Sequence, residues 1–121
     1  MLHQQEAHKL TELIDSANHI VIIQADNPDA DSLASALALE NILGEMGKKI
    51  TLYCGVDIPS YLSYVPGWDR ISNELPNIFD LSILVDCSTI TLLEKLEQNH
   101  RIGTLKNHPS IVIDHHSNEV D

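Results

Sequence analysis

Four short apolar runs rich in β-branched residues punctuate the chain: Ile20–Ile23, Lys49–Cys54, Leu81–Val85 and Ser110–Ile113. In the second, Ile50, Leu52 and Cys54 alternate with Thr51 and Tyr53, the period of a strand with one face buried. Leu81–Val85 is apolar almost throughout, the pattern of a strand buried on both faces with a neighbour on each side. Between these runs the spacing becomes helical. Ala7, Leu10, Leu13 and Ile14 mark a helix over residues 3–17. Ser32 to about Met46 reads as a second helix, capped by Asp29 or Asp31 and stopped by Gly47. Its small residues Ala34, Ser35, Ala36 and Ala38 suit close packing on a sheet. Val56–Trp68 holds two prolines and reads as a short helix followed by a turn. Ser88 can cap a further helix over Thr89–Gln98. Strands that alternate with helices predict an α/β fold: a three-layer domain whose parallel sheet, in the order 2-1-3-4, is flanked by helices through right-handed crossovers.

A parallel sheet makes the ends of its strands chemically interesting. Ile20–Ile23 runs into Asp26-Asn27-Pro28-Asp29-Ala30-Asp31, Leu81–Val85 into Asp86, and Ser110–Ile113 into Asp114-His115-His116. Open α/β sheets bind ligands at the carboxyl ends of their strands. Acids gathered there repel one another unless a cation compensates them, and the simplest candidate is a divalent metal, expected as a pair. Asp29 and Asp31, two apart on one loop, can point at different ions. Asp86 can bridge both, His115 can add an imidazole, and His116 can face a phosphate. Two ions roughly 4 Å apart can clamp a phosphoryl oxygen and activate a hydroxide. The N-terminus of the following helix favours an anion at the same place.

Composition narrows the function further. The 121 residues suffice for one domain, and 43% hydrophobic with 21% charged residues is the balance of a soluble globular chain. No apolar run is long enough to span a membrane, and no secretory signal opens the chain. Cys54 and Cys87 match no zinc spacing and read as reduced thiols, which points to the cytoplasm. A formal net charge of −11 argues against a broad duplex nucleic-acid face, which needs lysines and arginines to neutralise phosphates. His3, His8, His100 and His108 read as surface residues, and Trp68 as a packing residue beneath a loop.

The three acidic motifs, in this order, resemble the DHH phosphoesterase family. Asn27-Pro28-Asp29-Ala30-Asp31-Ser32-Leu33-Ala34-Ser35 is similar to its first motif, Val85-Asp86-Cys87-Ser88 to its second, and Ile113-Asp114-His115-His116 to the triplet that names it. The stretches Gly47–Tyr53 and Tyr61–Gly67 are similar to the bacterial branch that degrades very short RNAs and 3′-phosphoadenosine 5′-phosphate. The resemblance implies a Rossmann-like domain carrying two Mn2+ ions. Asp29 would ligand one ion and Asp31 the other, Asp86 would bridge, and His115 would complete part of the second ion's ligand shell. His116 would contact the scissile phosphate, and Asp114 would orient a histidine from behind. The substrate would be a short oligonucleotide or a nucleotide phosphate. The resemblance also allows a homodimer paired through helices of this domain.

Two departures stand against the pattern. The family's first-motif histidine falls at Ala25, whose methyl group cannot bind metal; an imidazole restored there would be expected to tighten manganese binding. Gln24 and Asp26 flank it, on the other side of the chain if the strand runs on. The chain also stops soon after the third motif. The expectation is therefore an amino-terminal domain, residues 1–121, truncated ahead of a fourth acidic motif and a substrate-binding domain. The rival reading is a degenerate, non-catalytic domain that binds nucleotide or mediates assembly.

Overall fold

Four parallel strands form one sheet: β1 (His19–Gln24), β2 (Lys49–Cys54), β3 (Leu81–Val85) and β4 (Ser110–Ile113), in the spatial order β2-β1-β3-β4. The structure is a computed structural model that describes residues 11–85 and 109–113. The expected strand order and the parallel pairing are both present, and β3 lies between β1 and β4. All five residues of β3 are buried, as its unbroken apolar run requires. The expected helix over Thr89–Gln98, together with Cys87, His3, His8, His100 and His108, lies outside the described residues.

The sheet carries two apolar faces. On one, Ile20, Ile22, Leu52, Leu81, Ile83, Val85 and Ile111 pack with Ala36 and Leu43 of α1 (Ala30–Glu45), and Leu13 and Ile14 of the preceding helical segment, residues 11–16, lie against the same cluster. On the other, Val21, Ile23, Ala25, Tyr53 and Leu84 meet Leu75 and Phe79, which approach from the segment leading into β3. Together these layers make the three-layer α/β fold expected from the strand and helix pattern. Among the described residues, no helix is long and apolar enough to cross a membrane.

The boundaries of α1 follow from its caps. It begins at Ala30, two residues ahead of the sequence expectation, because Asp29 caps it. Asp29 accepts from the Ser32 backbone N–H, and the Ser32 hydroxyl accepts in return from the Asp29 N–H. At the other end Gly47 sits at φ 85°, its N–H on the Gly44 carbonyl and the Lys48 N–H on that of Leu43. Those two bonds form the Schellman closure that a glycine at C′ favours.

The short helix and turn expected in Val56–Trp68 are present. Val56–Trp68 contains one short 3-10 turn, Ser60–Leu62, and a second, Trp68–Arg70, begins at its end. Pro59 and Pro66 leave no room between them for a regular α-helix, and Gly67 turns the chain at φ 96°. Tyr53, which alternates with the apolar positions of β2, is only 1% exposed. The chain returns past β2 after Arg70, bridging Tyr53 to Ser72, and Leu75 and Phe79 cover the ring. Arg70 in turn donates a forked pair of hydrogen bonds to Glu40, tying this return segment to α1.

The amino edge of the sheet closes on itself. Asp80 Oδ2 accepts from the backbone N–H groups of Asn18 (2.7 Å) and His19 (3.0 Å), and the Asp80 N–H donates to the His19 carbonyl. His19 Nε2 lies 2.8 Å from Thr51 Oγ1 of β2. Ser82 and Ser110, opposite one another on β3 and β4, share a 2.7 Å hydroxyl contact.

Candidate functional site

The carboxyl edge is where the three motifs leave the sheet. Gln24 is level with Val85, and Val85 with Ile113, in the strand register. The next residues in sequence are Ala25, Asp86 and Asp114, so the chain departs from three adjacent strands at one height. Asp29 and Asp31 are brought together at the first turn of α1, and both are exposed. Asp86, Asp114, His115 and His116 lie outside the described residues.

Local chemistry explains the position of the first two acids. After Gln24 the chain crosses Ala25–Pro28, and Pro28 is buried, anchoring the turn. Asp29 follows in extended backbone, φ −133° and ψ −177°, as an N-cap residue does. Its Oδ1 accepts from the Ser32 N–H at 2.8 Å. That bond fixes the carboxylate and leaves its second oxygen for a cation. Asp31 sits in the first turn, where the helix dipole favours a negative charge.

Behind them stands a residue whose role the sequence reading missed. Gln24 is fully buried. Its Oε1 accepts from the Ser32 hydroxyl at 2.9 Å, while its Nε2 has no hydrogen-bond acceptor among the described residues. Leaving such a donor unsatisfied costs about 1–3 kcal/mol. The available signal was a lone amide ending an apolar strand run, one position before Ala25.

Position 25 is structurally apolar. The Ala25 methyl belongs to the cluster of Val21, Ile23, Tyr53 and Leu84 and is 3% exposed. Its carbonyl accepts from the Cys54 thiol at 3.4 Å. Burial pushes that thiol up to about 11, helped by the charges of Asp26 and Asp57 and opposed by backbone hydrogen bonds at Val56 and Gly55. Cys54 therefore holds its proton near neutral pH when no metal is bound.

A cavity of about 600 Å³ opens beyond the end of β2, lined in part by Trp68, Asp57, Asp69, Asn73 and Glu74. It includes neither Asp29 nor Asp31, and its carboxylates make it unsuited to an anionic nucleotide. The geometry at the strand ends is the better guide to function.

The donors fit a hard divalent cation on chemical grounds. Carboxylate oxygens suit magnesium, calcium or manganese, and one of the two carboxylates is held by its own helix. Among the described residues no group of three or more His, Cys, Asp and Glu side chains forms a metal cluster. The first-motif pair could supply part of a ligand set, and β3 and β4, which precede the second and third motifs in sequence, end level with β1.

A parallel α/β sheet with acidic motifs leaving the carboxyl ends of adjacent strands is the layout of a Rossmann-like ligand-binding domain. The model of the DHH family, N-terminal domain, matches residues 19–121, and the chain belongs to that family, whose members are in general phosphoesterases. No curated protein matches the chain.

Proposed function

We propose that this chain is a metal-dependent phosphoesterase domain that hydrolyses short oligonucleotides or nucleotide phosphates at a two-manganese site. The observation that carries the reading is the common level at which the three motif-bearing chains leave β1, β3 and β4, with Asp29 fixed and Asp31 exposed beside them. Bound manganese would supply a polarised phosphoryl group and a hydroxide nucleophile near neutral pH. Asp29 and Asp31 would each hold one ion, Asp86 would bridge the two, and His115 would add an imidazole. His116 would bind a phosphate oxygen, and Asp114 would orient a histidine from behind. The N-terminus of α1 adds its positive end to the same edge. The sequence similarity of Gly47–Tyr53 and Tyr61–Gly67 favours the branch that acts on very short RNAs and 3′-phosphoadenosine 5′-phosphate.

One observation favours a second reading, a non-catalytic domain that keeps the nucleotide and metal but not the turnover. Ala25 is packed as an apolar residue where the family motif has a ligand. The experiment follows release of mononucleotide from a labelled dinucleotide, and of phosphate from 3′-phosphoadenosine 5′-phosphate, with millimolar manganese. Turnover that requires manganese and disappears in Asp86→Ala supports the enzyme. Binding of manganese and nucleotide without turnover supports the second reading. Absence of both contradicts the metal site.

A further inference from the structure

We propose that Gln24 is a positioning residue, setting the Asp29 carboxylate through the Ser32 hydroxyl. The inference rests on the reading of Asp29 as a metal ligand and adds a residue that the family motif does not contain. Three contacts form the chain of influence. Gln24 Oε1 accepts the Ser32 hydroxyl proton at 2.9 Å. The same hydroxyl oxygen accepts from the Asp29 N–H at 3.1 Å. The Ser32 N–H donates to Asp29 Oδ1 at 2.8 Å.

The Ser32 hydroxyl has one proton and two places to put it. The Asp29 carbonyl, 3.1 Å away, is the competitor. Gln24 draws the proton toward the strand and turns a hydroxyl lone pair toward the Asp29 N–H. Without Gln24 the hydroxyl turns to the Asp29 carbonyl, and the capping turn loses its reciprocal bond. The carboxylate then swings with the turn. The anchor is rigid because Gln24 is the last residue of the central strand β1, paired on both sides, to Cys54 and to Val85.

A purely structural role does not account for this side chain. A fully buried amide with one end bonded and the other without an acceptor among the described residues is a poorer core residue than leucine. An apolar replacement should therefore leave the fold as stable or more so. It should weaken the metal site at the same time, and the two readouts would move in opposite directions.

The test is calorimetric titration of Mn2+ into the 121-residue chain, its Gln24→Leu and Ser32→Ala variants and the double variant, with metal-free melting temperatures alongside. Gln24→Leu is expected to weaken manganese binding about 10-fold or more, the usual loss for a residue supporting a ligand, with an unchanged or higher melting temperature. The double variant is expected to bind no more weakly than Ser32→Ala alone, because Gln24 acts through Ser32. Gln24→Met, of similar length and with only a weakly accepting sulfur, replaces the leucine variant if that one does not fold. Wild-type affinity in the Gln24 variant, or losses that add in the double variant, would overturn the inference and leave the metal site standing. A wild-type chain that binds no manganese at millimolar concentration would overturn the metal reading and this inference with it.

Discussion

The two edges of the sheet treat their acids in opposite ways. At the amino edge, Asp80 spends its carboxylate on the backbone, receiving the N–H groups of Asn18 and His19 and joining the entry of β3 to that of β1. At the carboxyl edge, Asp29 gives one oxygen to its helix, Asp31 stands exposed, and Gln24 Nε2 is buried without an acceptor among the described residues. An acid that satisfies backbone donors stabilises the fold. An acid held in place with an oxygen to spare is ready for a ligand. Residue type alone does not separate the two, but the hydrogen-bond accounting does.

The comparison is sharpest where metal binding and stability come apart. Asp31→Ala removes a carboxylate that caps nothing. It is expected to weaken manganese binding by more than about 100-fold, the upper end of the loss for a mere supporting residue, while stability falls by no more than about 0.3–1 kcal/mol, the worth of an acid in a helix's first turn. Asp80→Ala should do the reverse: about 1 kcal/mol of stability lost with its two exposed bonds to the backbone, read by urea unfolding, with manganese affinity unchanged. Ala25→His inserts a ring into a packed apolar cluster and is expected to cost about 1–3 kcal/mol. Tighter manganese binding in spite of that cost would place position 25 at the site.

Smaller effects separate the two duties of Asp29. Asparagine caps a helix about as well as aspartate, so Asp29→Asn should change stability by no more than a few tenths of a kcal/mol. It should still weaken manganese binding, because the charge is gone. The smallest effect lies back at the amino edge. Burial first, and then the Lys49 charge, holds the His19 imidazole below its usual 6.5, against the backbone hydrogen bond at Ile78 and the Asp80 carboxylate. The unfolded chain therefore binds a proton that the folded chain resists. Stability should rise with pH through about 6.5 and fall as pH drops below it. His19→Gln should flatten that slope in unfolding curves taken between acid and neutral pH.

Much of the fold was legible because hydrophobic period and burial agree. Leu81–Val85 reads as a doubly buried strand, and Ser110–Ile113 beside it keeps the expected bounds. The burial of Tyr53 comes from Leu75 and Phe79, far along the chain, which no local alternation reveals. The short helix and turn after Val56 were legible from the prolines and from Gly67. At the site, Asp29 and Asp31 were legible from spacing, and capping by Asp29 was one of two choices offered. Gln24 was not legible, since its part depends on a hydroxyl eight residues away across a turn.

The most direct measurement is anomalous scattering at the manganese edge from crystals of the chain soaked in Mn2+. The account expects a pair of peaks roughly 4 Å apart, bonded to Asp29, Asp31, Asp86 and His115 at the carboxyl ends of β1, β3 and β4. Manganese bound elsewhere, with Asp29 and Asp31 left to solvent, would contradict it.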